Sequence, residues 1–197
     1  MKTFYYNINE NRSLYQFYRQ LELLITDVEK SFERVVLICI GSDRATGDSL
    51  GPMIGYKLSR YERPNLIIYG TLEEPVHAKN LEETLLEIDH TYTNSAVIAI
   101  DASLGQSDHV GYVTLAKGAL SPGIGVNKNL PQVGDLHITG IVNTSGFANQ
   151  IMLQTTRLST VMALADFISM GILYATNRLQ RSSSFERSKQ RDLINVF

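Results

Sequence analysis

Three short runs of apolar, mostly β-branched residues dominate the hydrophobic pattern of the chain. They are Val35–Ile40, Leu66–Tyr69 and Ala96–Ile100. Uninterrupted apolar runs of this length are typical of strands that are covered on both faces, as in a parallel sheet. Between the runs, apolar residues recur at helical spacing, at Leu50, Ile54, Leu58, Leu81, Leu85 and Ile88. The pattern therefore predicts consecutive right-handed βαβ units.

The rest of the chain predicts a less regular extension of the same sheet. We expect strands over Gly111–Ala116 and Asp135–Val142, with a glycine-rich loop, Gly118–Asn129, between them. Because only a short loop separates the first of these strands from the third apolar run, antiparallel pairing of those two is expected. A long buried helix is predicted from about Asn149 to Ala175.

Together these elements predict one α/β domain, which the length of 197 residues suits. The expected architecture has three layers, α/β/α, around a mostly parallel five-stranded mixed sheet with one antiparallel strand. Residues 1–33 are expected to form a leading helical segment with an amphipathic helix over Leu14–Glu33. The α/β core is expected over 35–176, and a charged tail over 178–197, which carries a net charge of +3, is interpreted as a solvated terminus.

Composition narrows the class of protein. The single cysteine excludes a disulfide framework and a cysteine-rich zinc site, and it favours a reducing compartment. The net charge of −2 argues against a dedicated nucleic-acid binder. The amino terminus lacks the apolar region of a secretory signal, and no stretch approaches the roughly 18 uninterrupted apolar residues of a membrane span. A cytoplasmic protein is therefore expected.

Carboxylates follow each of the three apolar runs, where open α/β sheets bind their ligands. They are Asp43, Asp48, Glu73 and Asp101. Asp48 and Asp101 form the strongest pair, because a 2-1-3 order of the three strands would bring both to one edge of the sheet. Each also has a structural interpretation, Asp48 as the N-cap of the next helix and Asp101 in an Asx-turn. An acid-lined site binds a metal or performs carboxylate acid–base chemistry.

Other common site motifs do not fit. The segment from Gly41 to Ser49 has five residues between its glycines, where a Walker A loop has four, and Asp48 stands in place of the lysine. No G-x-G-x-x-G dinucleotide motif is present, and no G-x-S-x-G elbow surrounds Ser49 or Ser103. Cys39 lies inside a predicted strand and is interpreted as a core residue.

Residues near the aspartate pair are expected to hold a substrate. His77 is the only histidine near a strand end, and it either contributes to the site or caps the following helix. The glycine-rich loop either lies against an extended substrate, because glycine allows a close backbone approach, or is a surface loop without function. The substrate-binding residues predicted on this basis are Asp43, Glu73, His77, Gly123 and Gly125.

Three segments of the chain carry a resemblance to a known family. Gly47–Pro52 reads GDSLGP, Ile98–Ala102 reads IAIDA and Leu115–Lys128 reads LAKGALSPGIGVNK. In this order they resemble motifs of the germination protease of spore-forming bacteria, an aspartic-type endopeptidase of the hydrogenase-maturation-protease fold. The chain as a whole resembles the YyaC-type sporulation proteins, shorter relatives of that protease. The resemblance implies that fold, with Asp48 and Asp101 as the catalytic residues.

The activity that the resemblance implies is hydrolysis of a peptide bond in a protein substrate by a sporulation-associated aspartic-type peptidase. Two carboxyl groups held close together titrate as a pair with separated pKa values. One can then take a proton from the attacking water while the other donates to the carbonyl oxygen. A non-catalytic binding protein that kept the fold is the alternative. The expected partner is a protein or peptide substrate, without nucleic acid or membrane, and a homo-oligomer is left open.

A third interpretation is a metal-sensing protease of the maturation type. The hydrogenase maturation proteases hold nickel with a Glu and an Asp at the positions of Asp48 and Asp101, and with a downstream histidine. Here Pro131 falls where that histidine would be, and His137 lies six residues further on, inside a predicted strand. No metal and no other cofactor are therefore expected.

Overall fold

A single mixed sheet organises the part of the chain that the computed structural model describes, residues 2–28, 34–123, 130–146 and 148–194, with side chains to residue 179. The strands are β1 (Thr3–Asn7), β2 (Arg34–Cys39), β3 (Leu66–Tyr69), β4 (Ser95–Gly105), β5 (Tyr112–Lys117) and β6 (Leu136–Thr144). The helices are α1 (Ser13–Thr26), α2 (Leu50–Ser59), α3 (Leu81–Thr91), α4 (Asn149–Gln154) and α5 (Leu158–Ile194). The strand order is β1-β5-β6-β4-β2-β3.

Four parallel strands, β6, β4, β2 and β3, form the centre and one edge of the sheet. The three apolar runs are β2, β3 and β4, and their order β3-β2-β4 is the 2-1-3 arrangement that the pairing of Asp48 with Asp101 requires. Alternate residues of β2 enter different cores, with Val35 and Leu37 on one face of the sheet and Val36 and Ile38 on the other. Burial on both faces explains why these strands read as continuous apolar runs.

Helices cover both faces, which confirms the predicted α/β/α layers. α1, α2 and α5 pack on one face and contribute to the larger core, for example through Phe17, Ile54 and Ile168, none of which is exposed. α3 covers the other face with Leu81 and Ile88. The carboxyl ends of the parallel strands stay open between these layers, which leaves room for a site there.

The prediction of five strands is wrong by one, because the amino terminus adds β1. This strand pairs antiparallel with β5 and places Phe4 and Tyr6 toward the larger core, while Tyr5 on the opposite face is exposed. Five residues with alternating burial carry a weak hydrophobic signal, so the sequence analysis assigns only a helix to the leading segment. Helix α1 ends at Thr26 rather than Glu33, and residues 29–33 lie outside the described part of the chain.

The predicted pairing of β5 with β4 is also wrong. β5 does run antiparallel to the central strands, as expected, but its partners are β1 and β6. β6 lies between β5 and β4 and pairs parallel with β4. The strand β4 is also longer than predicted and continues to Gly105, so Asp101 lies inside it rather than after it.

The long helix predicted near the carboxyl terminus is two helices, α4 and α5. At the break, the carbonyl oxygen of Met152 accepts hydrogen bonds from two side chains, Asn143 Nδ2 at 2.9 Å and Thr156 Oγ1 at 2.7 Å. In a continuous helix the backbone N–H of Thr156 would use that oxygen. The break frees α4 to approach the carboxyl edge of the sheet.

Within α5, the stretch Leu158–Leu179 is long and apolar enough to cross a membrane by length and composition alone. Half of its most apolar window is buried inside the protein, and Val161, Leu164 and Ile172 have no exposed surface. These contacts are those of a core helix, which is compatible with a soluble protein. The side chains of residues 180–197, most of the predicted charged tail, lie outside the description.

Candidate functional site

A cleft of about 270 Å³ opens at the carboxyl edge of the parallel strands. Its lining comes from the segments that follow β2 and β3, from the end of β4, from the loop before β6 and from α4. Asp48, His77 and Asp101 are the His, Asp and Glu residues among the described lining residues. The cleft therefore brings together the two aspartates that the sequence analysis paired.

Asp48 lies on a short 3₁₀ turn, Gly47–Ser49, that leads from β2 into α2. The N-cap of α2 is Ser49, and no side chain caps this helix, so the N-cap interpretation of Asp48 is wrong. Burial raises the pKa of Asp48, while a hydrogen bond from the Ser42 backbone and the attraction of His77 lower it. Asp48 lines the cleft. The Ser42 backbone and His77 favour its ionised form, against the larger effect of burial.

Close packing around two glycines holds this turn in place. Gly41 has a φ of +142°, and a Cβ atom on it would lie 2.0 Å from the carbonyl oxygen of Asp48. A Cβ atom on Gly51 would lie 2.1 Å from the carbonyl oxygen of Ile40. Both residues must be glycine for the backbone of the turn and α2 to approach the end of β2 so closely. This packing gives a structural reason for Gly51, the second glycine of the GDSLGP motif.

Asp101 lies within β4 and is only 8% exposed. Its Oδ1 accepts a hydrogen bond of 2.7 Å from the Ala102 backbone N–H, and the Gly123 backbone also donates to it. Burial, and after it the charge of Asp48, raise the pKa of Asp101 to about 8. The predicted Asx-turn leading away from the strand is not formed, because the backbone of Asp101 stays paired with Thr139 in the sheet.

The two carboxyl groups differ in a way that suits acid–base chemistry. Asp101 keeps its proton at neutral pH because it is the more deeply buried and lies near the charge of Asp48. Asp48 is less deeply buried, and both the Ser42 N–H and His77 act to lower its pKa. One carboxyl group is thus favoured as a proton donor and the other as a proton acceptor.

His77 reaches the same cleft from the segment after β3. Val76 forms a parallel bridge with Ile40, so this segment extends the sheet beside the end of β2. The side chain of Asn80 then accepts from the His77 backbone N–H at 2.8 Å and donates to Pro75 at 3.1 Å. Asn80 also occupies the N-cap position of α3, so His77 does not cap that helix.

The predicted substrate-binding residues separate into three groups. His77 and Gly123 line the cleft. Asp43 and Glu73 are exposed and are not among its lining residues. The turn before α3 is closed by a hydrogen bond from Thr71 N–H to the Glu74 carbonyl, 3.0 Å, and it leaves Glu73 in solvent. Gly125 lies outside the described residues.

The sequence analysis missed the wall of the cleft that α4 provides. Gln150, Leu153 and Gln154 line it, and Arg44 adds a positive charge on the side of the β2 loop. The two glutamines are four residues apart, so they share one helix face. The sequence analysis predicts this segment as the start of a long buried helix, so its polar side chains have no role in the predicted site.

The described residues do not fit a metal site with three protein ligands, since they contain no group of three or more His, Cys, Asp or Glu side chains placed to hold an ion. Neither Pro131 nor His137 lines the cleft. The Nδ1 atom of His137 lies 2.8 Å from the Gly118 carbonyl oxygen, so this ring is held within the fold.

Comparison with known proteins places the chain in a family. A family model described as "Protein of unknown function (DUF1256)" matches residues 5–171. Uncharacterized protein YyaC of Bacillus subtilis (strain 168) is 49% identical over 138 residues, which are 70% of this chain and 67% of that protein. A solved structure, the NiFe hydrogenase maturation protease HycI of Thermococcus kodakarensis KOD1, is similar with a TM-score of 0.49 and 15% identity, over 80% of this chain and 97% of that chain. The chain belongs to the DUF1256 family.

Proposed function

We propose that the protein is a peptidase that hydrolyses a peptide bond in a protein substrate with Asp48 and Asp101. The observation that carries the proposal is the placement of two coupled carboxyl groups in one cleft, one of them protonated at neutral pH. Such a pair supplies an acid and a base at the same pH, which general acid–base hydrolysis requires. The motifs around both residues, which resemble those of the germination protease, support the same reaction.

The unequal environments suggest a role for each aspartate. Ionised Asp48 takes a proton from a water molecule as its oxygen attacks the carbonyl carbon, and Asp101 donates its proton to the carbonyl oxygen. The tetrahedral intermediate then collapses: the C–N bond breaks, Asp48 returns its proton to the leaving amine, and Asp101 recovers a proton from the hydroxyl group. Both carboxyl groups end in their starting states.

The lining of the cleft is suited to an extended stretch of polypeptide. Polar groups at its rim, Gln150 and Gln154, can hydrogen-bond to a substrate backbone, while apolar side chains such as Leu104, Leu130 and Leu153 can contact substrate side chains. The resemblance to sporulation proteins further suggests that the substrate is present in the cytoplasm of a spore-forming cell.

The experiment that tests this function measures peptide cleavage by wild type, Asp48→Asn and Asp101→Asn. A mixture of peptides of defined sequence is incubated with each protein, and cleavage is followed by mass spectrometry. Asp89→Asn is the control, because Asp89 is exposed on α3 and outside the cleft. We expect each cleft variant to lose activity by about 10³-fold or more, since neither half of the pair works alone.

Two results would contradict the proposal in different ways. Cleavage that survives in both Asn variants would show that another group performs the chemistry. Peptide binding by the wild type without any cleavage would instead favour a non-catalytic binding protein on the same fold.

A further inference from the structure

A groove of about 480 Å³ lies between the end of α2 and the middle of α5. The described residues that line it are different from those that line the cleft. Because α2 begins beside the cleft and runs back toward the start of β3, the groove lies toward the opposite edge of the parallel strands. Its volume is in the range of sites that hold small molecules. The groove is therefore a second candidate site, separate from the proposed peptidase site.

Two polar contacts between α2, or the segment after it, and α5 hold the groove in shape. At one end, Lys57 Nζ lies 2.7 Å from Asp166 Oδ1. Beyond the other end, Arg63 donates a hydrogen bond to the side chain of Asn177, about three helical turns after Asp166. The α5 residues of the groove lie between these contacts. The spacing of its two walls is therefore set before any ligand binds, which lowers the cost of binding.

The most deeply buried residue of the described lining has a polar atom without a partner. Ser169 is only 6% exposed, and its Oγ forms no hydrogen bond among the described residues. A hydroxyl side chain inside a helix commonly bonds the carbonyl oxygen four residues earlier, as Thr176 of the same helix does with Ile172 at 2.8 Å. An unpaired buried hydroxyl destabilises the folded state. A ligand that accepts a hydrogen bond from Ser169 would remove this cost.

The charges around the groove favour an anion with a single negative charge. Lys57 and Asp166 neutralise each other as an ion pair. Arg60 adds a positive charge, and it forms no ion pair with a carboxylate in the part of the chain whose side chains are described. The described lining therefore has one net positive charge. A planar guanidinium group can bind a carboxylate through two parallel hydrogen bonds.

Arg60 and Ser169 lie at the same level of the groove. The two contacts at its ends join earlier residues of α2 to earlier residues of α5 and later ones to later ones, so the helices run in the same direction. Arg60 follows Lys57 by about one helical turn, and Ser169 follows Asp166 by the same interval. The cation and the unpaired hydroxyl can therefore act on one bound group.

We propose that the groove binds a small organic carboxylate, with its acidic group at Arg60 and Ser169 and its apolar part against Met170 and Leu173. Both apolar side chains line the groove, and Met170 is 45% exposed, so a ligand would bury it further. A phosphate fits less well, because its charge of up to about −2 exceeds the single net positive charge of the lining. The proposal does not depend on the peptidase function.

Methyl NMR of the full chain with ¹³C-labelled methionine methyl groups tests this binding, with the Met170 signal assigned from Met170→Leu. The probes are hexanoate, the neutral hexanamide of the same shape, and acetate, which lacks the apolar chain. We expect hexanoate to shift the Met170 signal saturably with a Kd of about 1 mM. Hexanamide and acetate should each bind at least about tenfold more weakly, because each lacks one half of the recognised chemistry.

Variants of the groove and of the cleft then locate the carboxylate. Arg60→Gln should weaken hexanoate binding by about tenfold or more, and Ser169→Ala by about fivefold. Ser169→Ala should not lower Tm, because the hydroxyl group that it removes has no partner in the fold. Arg44→Gln is the matched control, since it removes the cationic side chain of the cleft instead, and it should leave the affinity for hexanoate unchanged.

Three results would overturn the proposal. Equal affinities for hexanoate and hexanamide would show that the groove is apolar without a preference for an anion. A loss of affinity in Arg44→Gln rather than in Arg60→Gln would place the carboxylate in the cleft. A Met170 signal that stays unmoved at hexanoate concentrations up to about 20 mM would show that the groove does not bind this class of ligand. None of these results requires peptide cleavage, so the peptidase function is tested separately.

Discussion

The loops after β2 and β3 both contain acidic residues, but the fold places these residues in different environments. Each follows a buried apolar strand and carries acidic residues, yet the β2 loop buries Asp48 in the cleft while the β3 loop leaves Glu73 in solvent. β2 is flanked by β4 and β3, whereas β3 is the edge strand of the described sheet. A carboxylate after a central strand meets the residues of its neighbours, and one after an edge strand has a neighbour on one side only. Asp43, on the same β2 loop, is exposed and outside the cleft as well. A central strand therefore allows a carboxylate to reach the site, and the path of the loop decides which one does.

The β3 loop still contributes to the site, but through a later residue. After its exposed turn, the chain returns to bridge Ile40 through Val76, and the next side chain, His77, reaches the cleft. The loop thus supplies a histidine ring to the site rather than a third carboxylate. This difference is favourable, because three carboxylates in one cleft would repel one another.

The largest expected effect comes from overpacking the contact between α2 and the end of β2, which holds the β2 loop in place. In Gly51→Ala, the new methyl group would meet the backbone of Ile40, which cannot move without shifting the end of β2. We expect the free energy of unfolding to fall by about 3 kcal/mol, which lowers Tm by roughly 6–12 °C for a chain of this size. Thermal unfolding followed by circular dichroism measures the change.

Gly146→Ala is the matched control for that substitution, because nothing lies within 4 Å of a Cβ atom at this position. Its Tm should stay within about 2 °C of the wild type. Equal losses in the two variants would show that replacing glycine, rather than the contact with Ile40, causes the destabilisation.

An intermediate effect is expected from the buried carboxyl group of the central strands. Folding raises the pKa of Asp101 to about 8, while an unfolded aspartate titrates near about 3.9. The folded state therefore holds a proton that the unfolded state releases, so this group makes the protein less stable as pH rises from about 4 to 8. In Asp101→Asn this loss disappears. These two pKa values set an upper limit of about 5 kcal/mol on the gain at pH 8. We expect the variant to exceed the wild type there by at least about 2 kcal/mol, which corresponds to about 4 °C or more in Tm.

The pH dependence distinguishes this explanation from a general gain in stability. The advantage of Asp101→Asn should shrink steadily from pH 8 to pH 4, because near pH 4 the carboxyl group of the unfolded wild type takes up a proton as well. An advantage that is the same at both pH values would mean that Asp101 ionises normally in the fold. The exposed Asp89→Asn variant should follow the wild type at every pH.

Much of the fold, and the central pair of the site, could be predicted from the sequence because the relevant signals are local. Apolar runs on β2, β3 and β4 reflect burial on both faces, and the rule for parallel sheets then places Asp48 and Asp101 together. The sequence did not predict β1, because a five-residue strand with one exposed face has few apolar residues to reveal it. The α4 wall was not predicted, because the apolar spacing from Asn149 onward does not show the break before α5, where Asn143 Nδ2 donates to the Met152 carbonyl.

The exposed position of Glu73 is another feature that the sequence alone does not predict. Its spacing after an apolar run is as favourable as that of Asp48, and the difference arises from which strand occupies the edge of the sheet. That order depends on pairing between strands, which no local pattern encodes. The sequence therefore indicates which carboxylates can meet, and the sheet decides which of them do.

The smallest effect is expected at the two acidic residues outside the cleft. Asp43→Asn and Glu73→Gln remove charges from exposed side chains, so each should change the free energy of unfolding by no more than about 0.5 kcal/mol. Peptide cleavage should stay within about twofold of the wild type at 0.15 M salt, where exposed charges are largely screened. A KM that rises tenfold or more in either variant, with Tm unchanged, would contradict this expectation. It would show that a bound substrate extends past the cleft onto the β2 or β3 loop, so that an edge strand also supplies a functional carboxylate.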